Sequence, residues 1–132
     1  MPFVHLRTHT EYSVVDGTLR IDDAAAAARA DGQPALAITD LSNLFGAVKF
    51  YKACRSAGVK PIIGADIHLE PDAAVSGSLS SQDRQASRLL LLVQNRQGYL
   101  NLCELLARGW SATRSGPRPG SSGTGWPSWA AG

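Results

Sequence analysis

Residues 34–51, PALAITDLSNLFGAVKFY, decide the fold. Ala35 to Thr39 is a short, nearly continuous apolar run, the pattern of a strand covered on both faces. Asp40 closes it, and Ser42 is placed to cap a following helix by accepting a bond from a free first-turn N–H. Leu44, Val48 and Tyr51 then recur at helical spacing, which predicts a stripe facing the sheet. A strand running directly into a helix puts Asp40, Leu41 and Ser42 at the strand's carboxyl end. Parallel sheets carry their chemistry at that end.

The neighbouring segments repeat the alternation. Before this stretch, Phe3 to Leu6 reads as a short strand, Arg7 to Ser13 as the loop at its end, and Val14 to Gly17 as a turn. A helix is expected from a Thr18 cap, with Asp22 and Asp23 near its positive end and Gly32 as terminator. After it, Gly58 ends the second helix, and Ile62 to Leu69 forms a third strand interrupted at Gly64. The polar stretch from Pro71 to Ser87 reads as a surface loop. Arg88 and the LLLLV run give a fourth buried strand. A helix follows from Gly98, with Leu102, Leu105 and Leu106 on one face and its end near Gly109. Strands separated by helices predict an α/β fold with a parallel sheet or barrel, connected right-handedly. A dinucleotide-binding reading is weak, because no Gly-x-Gly-x-x-Gly follows the first strand.

Composition narrows the function. The chain has 132 residues, enough for one domain with a core, and 44% of them are apolar, too many for a disordered chain. A formal net charge of +2 gives no basic field that would announce nucleic acid. Cys54 and Cys103 lack ligand spacing and read as buried thiols of a reducing compartment. With no signal-like start and no apolar span long enough for a membrane, the expectation is a cytoplasmic protein without a membrane partner. From Trp110 the sequence turns to Gly, Ser, Pro and Arg with no acidic residue, so the expected division is a domain over 1–109 and a disordered tail over 110–132. That tail has the composition of a GC-rich gene read out of frame.

The strand ends collect chemistry-bearing side chains. The first offers Arg7, His9 and, a turn later, Asp16; the second Asp40 and Leu41; the third Asp66 and His68; the fourth Arg88. Histidine and carboxylates converging from different strands are what a hydrolytic metal site requires. The plainer alternative stays open: a single loop histidine commonly serves as a hydrogen-bonding residue, and Asp40 could brace the turn into its helix. His5 and His68 read as structural.

FVHLRTHTEYSVVDG, PALAITDLSNLFGAVKFY, GVKPIIGADI and LLLLVQNRQGYLNLCELL, in this order, closely resemble the amino-terminal PHP domain of the alpha subunits of bacterial DNA polymerase III. The resemblance covers about residues 3–108. It implies a distorted βα barrel of seven strands, of which about four parallel ones fall within this chain. An incomplete barrel would leave an apolar sheet edge open.

In metal-binding members of the family a trinuclear site hydrolyses phosphoesters. Here the His-x-His motif reads Arg7-Thr8-His9, the next ligand position is Asp16, Thr-Asp-His reads Thr39-Asp40-Leu41, the glutamate of Gly-Ala-Glu is Asp66, and the histidine opening the fourth strand is Arg88. Three imidazole positions are therefore lost. Arginine cannot ligate a metal and brings a permanent positive charge, so Arg7 and Arg88 could pair with Asp16, Asp40 or Asp66 in place of metal bridges.

The resemblance thus implies a degenerate site, with His9, Asp16 and Asp66 as the only remaining ligands of a vestigial zinc or manganese centre. The domain would be a non-catalytic scaffold in a DNA-directed DNA polymerase (a nucleotidyltransferase of DNA replication). Its partners would be the proofreading exonuclease subunit and the rest of the holoenzyme. Magnesium and most DNA contacts would lie elsewhere in that larger protein, and this stretch alone would not extend DNA. The rival is a metal-dependent phosphoesterase or 3′–5′ exonuclease; the error-prone paralogue of the polymerase shares the same motifs.

Overall fold

The computed structural model describes residues 3–70, 87–112 and 120–122. Its elements are α1 (Ile21–Ala30), β1 (Ala35–Ile38), α2 (Ala47–Ala57), β2 (Lys60–Glu70), β3 (Ser87–Leu92), α3 (Arg96–Ala112) and β4 (Gly120–Ser122). The sheet order is β1-β2-β3, with β4 also paired to β2. β1 is buried at every position, as its continuous apolar run requires. It lies parallel to β2, Ala35 opposite Lys60 and Ile38 opposite Ile63.

The all-parallel expectation fails at the next strand. β3 runs antiparallel to β2, with Gly64 opposite Leu92 and Leu69 opposite Ser87. Parallel neighbours need a crossover, usually a helix, whereas antiparallel ones need only a loop. A run of leucines fits a strand of either direction, so the composition of β3 does not decide it. β3 is also half-exposed along most of its length, and not the buried strand its leucines suggest. The described sheet is mixed and open, an α/β fold without a closed barrel among the described residues.

Three other expectations shift. Phe3 to Leu6 is not a ladder strand; it runs beside β1, and His5 and Thr8 accept backbone bonds from Ala37 and Thr39, both at 2.9 Å. α1 begins at Ile21 and not at Thr18, because Leu19 is still extended, bridged to Thr10 and accepting the N–H of Glu11 at 2.8 Å. Here the chain passes so closely that a Cβ on Gly17 would lie 2.0 Å from the Thr10 carbonyl oxygen, so only glycine fits. α2 begins at Ala47 with Gly46 before it, so Ser42 caps nothing. Ser42 instead has φ +56° and makes a turn.

Two layers of packing hold the sheet. On one, Ile21, Ala24, Ala25 and Ala28 of α1 meet Leu36 and Ile38 of β1 and Phe50 and Cys54 of α2. The buried face of α2 is therefore Ala47, Phe50 and Cys54, while Val48 and Tyr51 of the expected stripe point outward, 67% and 52% exposed. Burial pushes the Cys54 thiol up to about 11, as befits an inert core residue. On the other layer, Leu102 and Leu105 of α3 pack on Ala65 and Ile67 of β2, with Leu106 beside them, as the leucine spacing predicts.

α3 continues past the expected end near Gly109 to Ala112, and the Trp110 indole N–H donates to the Ser42 carbonyl at 2.9 Å. Within the stretch expected to lack order, residues 110–112 are thus helical and 120–122 form β4. Residues 113–119 and 123–132, like residues 71–86 where a surface loop is expected, lie outside the described residues.

Candidate functional site

The site is built around Asp66. β2 carries it next to the end of β1, where a bridge pairs it with Leu41: Ser42 donates its N–H to the Asp66 carbonyl at 2.7 Å, and Asp66 donates its own to Asp40 at 3.1 Å. The Asp66 side chain is fully buried. Its Oδ2 accepts two bonds from Arg7, from Nε at 2.9 Å and from Nη2 at 2.5 Å. The same oxygen lies 3.1 Å from His9 Nε2. Its Oδ1 is buried and, among the described residues, has no hydrogen-bond partner.

His9 continues the chain of contacts, its Nδ1 lying 2.9 Å from Asp16 Oδ1. That oxygen also accepts the Ser13 hydroxyl at 2.7 Å, and Asp16 Oδ2 accepts two bonds from Arg88, each at 3.3 Å. Burial works to raise the Asp16 carboxyl, but the Ser13 hydroxyl, His9 and Arg88 outweigh it and hold it below the ordinary carboxylate range. Arg88 reaches this point because β3 is antiparallel: its first residues stand opposite the end of β2, Arg88 facing His68. Arg88 Nη1 also comes within 4.0 Å of Asp66.

Asp40 has the other role that its position allows. Almost wholly buried, it accepts the Thr10 N–H at 2.5 Å and the Thr10 hydroxyl at 2.8 Å, and no arginine pairs with it among the described residues. Burial raises its carboxyl above the usual range, opposed by the two Thr10 bonds. Asp40 thus braces the first loop against the end of β1.

Of the seven positions singled out in the sequence, Arg7, His9, Asp16, Asp66 and Arg88 form one connected ionic network. Leu41 borders it through the backbone, and Asp40 stands behind it. His5 is stacked edge-on to Phe3 at 4.7 Å between ring centroids, outside the network. Sequence reasoning missed the hydroxyls that fix the loop. Thr10 is fully buried on Asp40, Thr39 Oγ1 accepts the Thr8 N–H at 2.8 Å, and Ser13 Oγ accepts the Leu41 N–H at 3.1 Å. Their signal, hydroxyls within two or three residues of a carboxylate or histidine, was present but unspecific.

A metal centre needs imidazole and carboxylate lone pairs aimed at one point. Here both ring nitrogens of His9 face carboxylate oxygens, and guanidinium groups occupy the outward oxygens of Asp66 and Asp16. Among the described residues no group of three or more His, Cys, Asp or Glu side chains is disposed to hold a metal ion. As arranged, these residues form a salt-bridged cluster.

The sequence profile of the PHP domain matches residues 5–122, and the chain belongs to that family. Within it, the chain is 50% identical over 109 residues to the DNA polymerase III subunit alpha of Pseudomonas aeruginosa, covering 83% of this chain and 9% of that protein. It is 43% identical over 105 residues to the Chlamydia pneumoniae subunit of the same name, covering 80% and 8%. The chain therefore spans under a tenth of the length of the curated relatives it matches. Among solved structures it resembles a protein of Bifidobacterium adolescentis described as a metal-dependent phosphoesterase, with a TM-score of 0.54, 18% identity, and coverage of 83% of this chain and 32% of that one. That likeness supports the fold alone.

Proposed function

We propose that this PHP domain acts as a non-catalytic scaffold and docking module in a replicative polymerase of the DNA polymerase III alpha type. Polymerisation, magnesium and most DNA contacts belong, in this reading, to other parts of such a protein, and the proofreading exonuclease is the partner of first choice. The observation that carries it is the pair of guanidinium–carboxylate contacts, Arg7 to Asp66 and Arg88 to Asp16. Each puts a fixed cation where a metal-dependent hydrolase needs a metal, and arginine keeps its proton throughout the physiological range.

The second reading, a metal-dependent phosphoesterase or 3′–5′ exonuclease, draws on the convergence of His9, Asp16 and Asp66 and on the fold of the solved phosphoesterase. Metal analysis of the purified chain separates the two. The scaffold reading expects well under one zinc or manganese per chain and no metal-stimulated cleavage of a phosphomonoester or single-stranded DNA. Stoichiometric metal that disappears in His9→Ala, together with metal-stimulated cleavage, would establish the hydrolase instead.

A further inference from the structure

Ser42 is the one residue other than glycine with a positive φ among the described residues, at +56°. A left-handed backbone is costly for serine, because its Cβ crowds the following carbonyl. No side-chain bond offsets that cost: the Ser42 hydroxyl is buried and has no hydrogen-bond partner among the described residues. What holds the residue is its backbone. Its N–H donates to the Asp66 carbonyl at 2.7 Å, and its own carbonyl accepts the Trp110 indole N–H at 2.9 Å. Ser42 is thus gripped by β2 on one side and by the last turn of α3 on the other.

Asp66 stands at the far end of this line. Its N–H donates to the Asp40 carbonyl and its carbonyl accepts from Ser42, so the bridge between the end of β1 and β2 adjoins the same left-handed turn. The side chain that holds Arg7 and His9 leaves the backbone at that point. Leu44, two residues past Ser42, packs on the layer formed by Leu102 and Leu105, a second and apolar contact between this loop and α3. Trp110 is 52% exposed and is not a core side chain, so its bond to Ser42 is what it contributes here.

We infer that Trp110 is a strap: its bond keeps the Ser42 turn left-handed, and undocking of the last turn of α3 lets that turn relax and loosens the Asp66 cluster. Strapped, Ser42 keeps its N–H on Asp66, and Asp66 Oδ2 stays aimed at Arg7 and His9. Released, Ser42 falls back to negative φ, its N–H leaves the Asp66 carbonyl, and the backbone that aims the carboxylate is freed. Coupling between two places needs an element with two arrangements, and a strained turn supplies one. Trp110 is in this sense a positioning residue that acts on the cluster through Ser42. The inference goes beyond the scaffold reading and holds whether or not the cluster takes a metal.

Hydrogen exchange followed by NMR on the full chain tests it. Trp110→Phe keeps an apolar ring and removes the donor. It should speed exchange of the Ser42 N–H at least about tenfold and quicken that of the Arg7 Nε–H, while the Phe50 N–H, bonded to Gly46 within α2, stays protected. Glycine carries a left-handed backbone without strain, so in a Ser42→Gly background the same substitution should cost position 42 little protection. In the unmodified chain, the Trp110 indole N–H and the Ser42 N–H should open together and exchange at matching opening rates, a measurement that needs no variant to fold. Wild-type protection of Ser42 in Trp110→Phe would overturn the strap. So would an equal loss in the serine and glycine backgrounds, which marks a bond with no strain behind it, or an Arg7 Nε–H that does not respond. An indole N–H that exchanges freely beside a protected Ser42 N–H would overturn it in the unmodified chain.

Discussion

Arg7 and Asp66 are joined through a single oxygen: Nε and Nη2 of the arginine both donate to Asp66 Oδ2, at 2.9 and 2.5 Å. The arginine side chain is 53% exposed and the aspartate is not exposed at all, so the pair couples a buried anion to the surface. Solvent screens the arginine and limits what the attraction contributes. Removing it, however, leaves a buried carboxylate with only the more distant Arg88 as a cation. Arg7→Ala should therefore destabilise the fold by about 1–3 kcal/mol, towards the lower end because the guanidinium is half in water. Arg7→Lys should recover part of the loss. Urea titration of the three proteins checks this, and a wild-type midpoint in Arg7→Ala would refute the pairing's structural role.

The phase of α2 gives a second prediction. Phe50 is fully buried between α1 and β1, whereas Val48 is mostly in solvent. Phe50→Ala should cost about 3–5 kcal/mol, the range for removing a buried ring. Val48→Ala should stay within about 0.5 kcal/mol. Thermal melts of the two variants decide it, and a large effect at Val48 with a small one at Phe50 would rotate the helix.

Acid should act on the site through two carboxyls of opposite sign. Asp16 is held below its ordinary value, so its contribution is present above the unfolded pKa of about 3.9 and is lost as pH falls through the folded value. Asp40 is raised by burial, so its ionisation costs stability, and that cost is relieved as pH falls through its raised folded value. Asp16→Asn should flatten the loss of stability on the acid side. Asp40→Asn, which keeps an acceptor for the Thr10 N–H, should steepen it. Melting temperatures measured from pH 7 down to about 3 would show both, and identical acid limbs in all three proteins would contradict the assignment.

How much of this was legible in the sequence depends on which physical signal each element carries. β1 was readable because a continuous apolar run closed by Asp40 reads as a doubly covered strand. The direction of β3 was misread because its leucines say "strand" without saying which way it runs. The face of α2 was misplaced by weighting large side chains. Ala47 is small yet buried, and a Cβ on Gly46 would lie 2.9 Å from the Tyr12 ring and 3.0 Å from Ile21, so close approach and not bulk sets the phase. The charged residues of the site were found because charge at strand ends is conspicuous. Thr10, Ser13 and Thr39 were not, since a hydroxyl's role is decided by distances that sequence spacing does not contain.

In the scaffold reading, Arg7, Leu41 and Arg88 are what separates this cluster from a metal site. The three positions where the family pattern expects imidazole all border Asp66. Arg7 bonds to its Oδ2, Leu41 is bridged to its backbone, and Arg88 approaches it to 4.0 Å. Replacing all three with histidine removes two fixed cations and supplies three neutral nitrogen donors beside His9, Asp16 and Asp66, a donor set that suits zinc or manganese. Asp66 Oδ1, buried and without a partner among the described residues, would gain a use in such a centre. Arg7→His/Leu41→His/Arg88→His should therefore bind zinc measurably in a calorimetric titration where the wild type does not. The gain should vanish when Asp66→Asn is added. Zinc should also raise the melting temperature of the triple variant and leave the wild type unchanged, because binding to the native state alone stabilises it. A triple variant that folds and still ignores zinc would mean that the lost ligands are not what keeps metal out, and that the spacing of this loop does.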